Sequence, residues 1–196
     1  MTPYYARFLN INKKSEIGNR MNSLRRLLQS NSREIRFFLG FVVLFVILQS
    51  AHYFTRSYTA PFLVDTMTTR AGSALINIIT PGEKTVVRDG AIIGGATVEI
   101  MRGCEGIEGM LLLIAAVLAF PARTHLKVYG IAGGILFIYA FNLARIAGLY
   151  YTVRYKPALF DMMHIYVGQT VIIIVSLIFF IFWLSRIDRI AQNSRQ

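Results

Sequence analysis

The sequence predicts an all-α membrane protein, a polytopic helical bundle of about four transmembrane helices with an interfacial helix and a small extracytoplasmic β element. Three observations lead there. Hydrophobic residues make up 55% of the 196 and mean hydropathy is +0.50, above the usual apolar share of soluble proteins. The apolar residues gather in four stretches, each close to the roughly 20 residues that cross about 30 Å of hydrocarbon as a helix. Basic residues flank these stretches instead of forming a separate base-reading helix, so the net charge of +11 reflects a lipid bilayer and no nucleic acid.

The first region, residues 1–36, is polar and basic and is expected to be cytoplasmic. It holds eight Lys/Arg against Glu16 and Glu34. Leu24, Leu27, Leu28 and Ile35 recur at roughly helical spacing, which predicts an amphipathic surface helix over 23–36. The region is too long and too charged to read as a signal peptide. Residues 37–55 form the first span, between Arg36 and Arg56, with Gln49 and His52 in its last third. In the 56–102 connection, Leu63, Met67, Ala71, Ala74, Leu75, Ile78 and Ile79 fall on one helix face. That predicts an interfacial helix, or a short tilted span packed on the bundle, over 62–80. Pro81-Gly82 ends it. Residues 85–101 then read as short β segments broken by the turn signals Asp89-Gly90 and Gly94-Gly95, a lid or cradle.

The second span is expected over 103–120, closed by Pro121. A short basic loop follows, with Arg123, His125 and Lys127. The third covers 128–152, where Gly130, Gly133 and Gly134 permit close helix approach. A polar loop, 154–163, leads to the last span at 165–184. The membrane-embedded domain is thus 37–184, and 185–196 is a basic tail. The N-terminal region, the 122–127 loop and the tail carry eight, two and three of the 21 Lys/Arg. The positive-inside rule puts both termini in the cytoplasm, and an even number of crossings agrees.

This topology brings three residue types to one level. Cys104, the sole cysteine of the chain, begins the second span on the outer side. There, unpaired N–H groups, the helix dipole and Arg102 favour a thiolate. His164 precedes the last span, also on the outer side. Arg145 lies seven residues before Thr152, roughly 10 Å below the outer end of its helix. A charge within a span costs roughly 2.5–3.5 kcal/mol on insertion scales, so it faces inward toward a partner. Glu108 is one candidate partner, aided by Asn142 on the same helix face as Arg145. Asp161, three residues earlier, is either an orienting partner for the His164 ring or simply a loop charge. Each residue also has a plainer reading: a buried apolar thiol, a wet interfacial imidazole, a structural Arg–Glu pair. Together they fit acyl transfer, in which thiolate attacks a carbonyl, imidazole moves the proton and guanidinium holds the oxyanion. No metal or other cofactor is expected, because one Cys and the scattered His52, His125 and His164 lack ligand spacing.

At these residues the chain resembles the exosortase/archaeosortase family of membrane-embedded cysteine transpeptidase-like enzymes, and most closely its small exosortase H-type members. The first motif is Cys104-Glu105-Gly106-Ile107 at the opening of a span. The second is Asn142-Leu143-Ala144-Arg145-Ile146 in the next span, and the third is His164 with Gly168 at the start of a later one. The resemblance covers about 86–184. Glu105 stands where the family more often has Ser, Thr or Asn, and Ile165 where Glu is frequent. The resemblance implies cleavage of exported proteins that end in a short recognition motif, a transmembrane helix and a basic cluster. It implies a plasma-membrane location with the active site facing outward, and Cys104, Arg145 and His164 as the catalytic set. A membrane scaffold or assembly factor, with Arg145 structural and Cys104 incidental, is the competing expectation.

Overall fold

The computed structural model describes residues 32–100 and 106–193. Most of the helix expected over 23–36, and Cys104, lie outside the described residues. The chain divides into two units, Met1–Gly40 and Phe41–Gln196. Of the first, residues 32–40 are described, as the opening turns of helix α1 (Ser32–Ala60).

In the second unit, the remainder of α1 exposes Val42, Val43, Val46, Ile47, Tyr53 and Phe54. Such a face suits lipid, where a helix satisfies its backbone internally and needs apolar side chains outside. At Pro61, which has no N–H to give, the chain widens into a π-helical stretch, Pro61–Arg70. The looser turns leave carbonyls to spare. Thr69 Oγ1 donates to Val64 O at 2.8 Å, and Tyr139 OH donates to Met67 O at 2.5 Å.

Helix α2 (Ala71–Ile79) completes the element expected over 62–80, but with its faces reversed. Met67, Ala74, Ile78 and Ile79 are exposed, whereas Thr68, Thr69, Ser73 and Ile76 are buried. The expected apolar face looks outward because lipid accepts it. The Ser/Thr/Asn face turns inward, where it finds hydrogen bonds. Asn77 Oδ1 accepts from Thr85 N at 2.7 Å, Asn77 Nδ2 donates to Thr85 O at 2.9 Å, and Ser73 Oγ lies 2.8 Å from Thr85 Oγ1.

Thr85 leads into the three-stranded antiparallel meander β1 (Val86–Arg88), β2 (Ala91–Ile93) and β3 (Thr97–Glu99). Arg88 pairs with Ala91, so Asp89-Gly90 is a two-residue turn, and both residues have positive φ (51° and 76°). This is the primed geometry that matches strand twist and that Asp-Gly favours. Ile92, Val98 and Ile100 pack with Ile76, Ile146 and Tyr150 in one core.

A polar latch fixes this meander to helix α4 (Thr124–Tyr155). Tyr150 OH donates to Glu83 Oε2 at 2.5 Å, Gly95 N donates to the same oxygen at 3.1 Å, and Arg154 Nε sits 3.4 Å from Glu83 Oε1. Arg154 Nη1 also donates to Gly95 O. The Tyr150 hydrogen bond above all, with the Gly95 amide and the Arg154 charge, holds the Glu83 carboxyl below the usual glutamate range. A carboxylate with a depressed folded pKa adds stability above its unfolded value of about 4.3, and that stability is lost as pH falls through the folded value. Acid should therefore loosen the meander from α4. Melting in detergent across pH 3–7 should show an acid-side loss that Glu83→Gln removes.

The membrane core is α4, α5 (Gly168–Asn193) and the shorter α3 (Ile107–Ala119). Leu113, Val117, Ile138, Ile172, Val175 and Trp183 form its centre. The glycines of α4 set the approach distance: a Cβ at Gly134 would collide with Leu113, and one at Gly130 with Trp183. Trp183 Nε1 donates to Leu126 O at 3.0 Å. Among the described residues, three helical stretches, Ser32–Thr59, Thr124–Tyr155 and Met162–Ile187, are long and apolar enough to cross a bilayer. The expected second span is α3, apolar but only 13 residues long. Its ends explain the length. Gly106 caps it in the left-handed conformation, and Phe120 is extended (φ −72°, ψ 136°) before Pro121, as a pre-proline residue prefers.

Candidate active site

Three separated segments meet around Arg145. The first is Gly106, whose φ of +74° lies in the left-handed region that favours a residue without Cβ. A Cβ there would also press on Asn142, 3.0 Å from its Cγ. Asn142 is fully buried in α4, and its Oδ1 accepts from Arg145 Nη1 at 3.3 Å. The third segment is the start of α5. A Cβ on Gly168 would collide with Arg145 Nε and lie 3.2 Å from Arg145 Cζ, so the guanidinium rests on the Gly168 backbone.

His164 lies one turn before Gly168, in the π-helical stretch Met162–Val167. Its ring stacks on Phe160, with centroids 5.4 Å apart and planes at 9°. It lies within electrostatic range of Arg145 and Asp161. Asp161 itself is exposed, immediately before the π turn. Glu108 is in the first turn of α3 and lines a cavity with Arg145, yet the two form no ion pair within 4 Å. The structural Arg–Glu pair weighed from sequence is not made.

Arg145 stands between two cavities. One, about 300 Å³, is lined by Gln49, Gly106, Glu108, Arg145 and Gln169 with apolar neighbours. The other, about 260 Å³, is more apolar and is lined by Phe141, Gly148, Arg145, Met163 and Val167 among others. Arg145 Nε is buried and has no hydrogen-bond partner among the described residues. A guanidinium held at one nitrogen by Asn142, with a second nitrogen unpartnered among the described residues, has donor capacity for a carbonyl or oxyanion.

The structure thus gathers Asn142, Arg145, His164, Glu108 and Gly106 into one neighbourhood, with Asp161 at its rim. Cys104 lies outside the described residues, two positions before Gly106. Sequence reasoning missed Gln49 as a lining residue, although a carboxamide after twelve apolar residues was a signal. It also missed the Tyr150–Glu83–Arg154 latch, whose i, i+4 pair at the end of α4 was the only local hint.

The geometry at Gly106 makes a direct prediction. Gly106→Ala forces an L-residue into the left-handed region, at roughly 1–2 kcal/mol, and pushes Asn142 off Arg145. Thermal melting should fall modestly, whereas function should fall much further. Wild-type function in this variant would show that the Gly106–Asn142 contact is dispensable.

A family model described as transmembrane exosortase (Exosortase_EpsH) matches residues 29–182. No curated protein and no solved structure matches the chain.

Proposed function

The chain belongs to the transmembrane exosortase family, and we propose that it is a cysteine peptidase/transpeptidase that trims C-terminal sorting signals from exported proteins. Its substrate carries a short motif, a transmembrane helix and a basic tail. Both termini lie in the cytoplasm of the plasma (inner) membrane, and the catalytic centre faces the extracytoplasmic side. The observation that carries this reading is the meeting of the three motif segments at Arg145: Gly106 on Asn142, Asn142 on Arg145, and Arg145 on Gly168.

In the reaction, the Cys104 thiolate attacks the scissile carbonyl and forms a tetrahedral intermediate. Arg145 donates to its oxyanion, with Asn142 holding the guanidinium. Collapse breaks the C–N bond, and His164, oriented by Asp161, protonates the departing amine. The thioester left on Cys104 is resolved by water or an amine acceptor, which gives its proton to His164 as the Cys104 thiolate departs. Cys104 is tethered two residues from Gly106, a reach of at most about 7 Å. Glu108 adds a carboxylate to the same cavity and supports the polar lining.

The test is a secreted reporter ending in motif, transmembrane helix and basic tail, taken from the same genome and expressed with and without this protein. The expected result is a shorter reporter only when the protein is present, with one new C-terminus by mass spectrometry. A reporter of unchanged length overturns the reading.

A further inference from the structure

Among the described residues, two buried side-chain polar atoms lack a hydrogen-bond partner: Gln49 Oε1 and Arg145 Nε. They come from residues 96 positions apart, and both side chains line the same cavity of about 300 Å³. Phe45 lines it too, one turn before Gln49 on α1, so this face of α1 turns toward the cavity. Residues 37–48 are wholly apolar, and Val46, Ile47, Tyr53 and Phe54 are exposed around Gln49. A carboxamide among them is costly in lipid unless it meets a partner.

The two unmet needs differ in kind. Gln49 Oε1 needs a donor, and Arg145 Nε needs an acceptor. A lipid chain supplies neither. An inorganic anion would serve Arg145 alone and would meet the Glu108 carboxylate in the same cavity. One peptide unit supplies both, its N–H for Gln49 and its C=O for Arg145. It does so whichever way the carboxamide is turned, since the peptide can offer either group. We propose that Gln49 is a substrate-binding residue whose carboxamide hydrogen-bonds the main chain of the extended polypeptide segment held beside Arg145. This rests on the peptidase reading above and adds the element of α1 that grips the substrate.

The experiment uses the same reporter, induced at graded levels against constant amounts of wild type and Gln49→Met, a variant of similar length with no donor and only a weak sulfur acceptor. Melting of the purified proteins in detergent is measured alongside. An acceptor with no partner among the described residues adds no hydrogen bond to the free protein's stability there, so Gln49→Met should melt no lower than wild type. Processing should fall about tenfold at limiting reporter, the worth of one hydrogen bond, and should recover as reporter rises, a KM effect with little change in kcat. Equal processing by Gln49→Met at every reporter level overturns this assignment alone. Lower melting with normal processing per molecule also overturns it and makes Gln49 a packing residue. A wild-type protein that leaves the reporter uncut overturns the peptidase reading and this assignment together.

Discussion

Arg145→Lys is expected to accumulate at near-normal levels and to process reporter about 10²–10³ more slowly, the usual loss when an oxyanion donor is removed. The charge survives in this variant, but a single ammonium cannot both hold Asn142 Oδ1 and present a second donor in a fixed plane. A structural role predicts the reverse. Losing a structural partner acts first on abundance, and lysine would preserve a simple ion pair. Glu108 lies in the same cavity without pairing to Arg145, so Arg145→Met with Glu108→Gln should not restore activity. Quantitative blotting beside reporter trimming separates the outcomes. Near-normal trimming by Arg145→Lys, or rescue by the double neutral variant, moves Arg145 to a structural role and leaves a Cys–His pair as the catalytic claim.

Cys104→Ala is expected to abolish processing altogether while the protein still inserts and folds. The substitution removes one sulfur atom, and no other residue of the chain carries a thiol. Cys104→Ser should be almost as inactive, because a hydroxyl is a far weaker nucleophile at neutral pH. In the wild type, an acid-quenched sample should contain a protein–substrate adduct that hydroxylamine releases, and the Cys104→Ala sample should lack it. Normal trimming by Cys104→Ala would end the peptidase reading.

The spans were legible because lipid imposes a simple rule on sequence: a long apolar run between charges. Residues 37–55, 128–152 and 165–184 fall within α1, α4 and the helix from Met162 onward. The meander was legible from Asp89-Gly90 and Gly94-Gly95, since turn chemistry is local. The burial of α2 was not. Its apolar periodicity was read by the rule for water, and here apolar residues face outward while Ser73 and Asn77 bond Thr85 inside. The length of α3 was also hidden, because a glycine in the sequence does not announce a left-handed backbone. At the candidate site, Asn142 and Arg145 could be read as neighbours because three residues in a helix share a face. Their contacts to Gly106 and Gly168 are tertiary, as is the Glu83–Tyr150 latch, and such contacts depend on the whole bundle closing.

The shortness of α3 has a consequence for the bilayer itself. Thirteen residues rise about 20 Å, some 10 Å less than the hydrocarbon core. Neighbouring α4, with 32 residues, is under no such constraint. With α3 as a crossing, lipid beside it would thin toward it, or water would occupy the difference. Gly106, Glu108 and the cavity they share with Arg145 lie at the beginning of this helix. A bilayer crossed by so short a helix would thin or admit water at the candidate site. On the proposed reading, a soluble acceptor, whether water or an amine, would arrive there from the aqueous side, while a substrate helix would approach sideways through lipid. The two reactants of the proposed transfer would thus meet from different solvents.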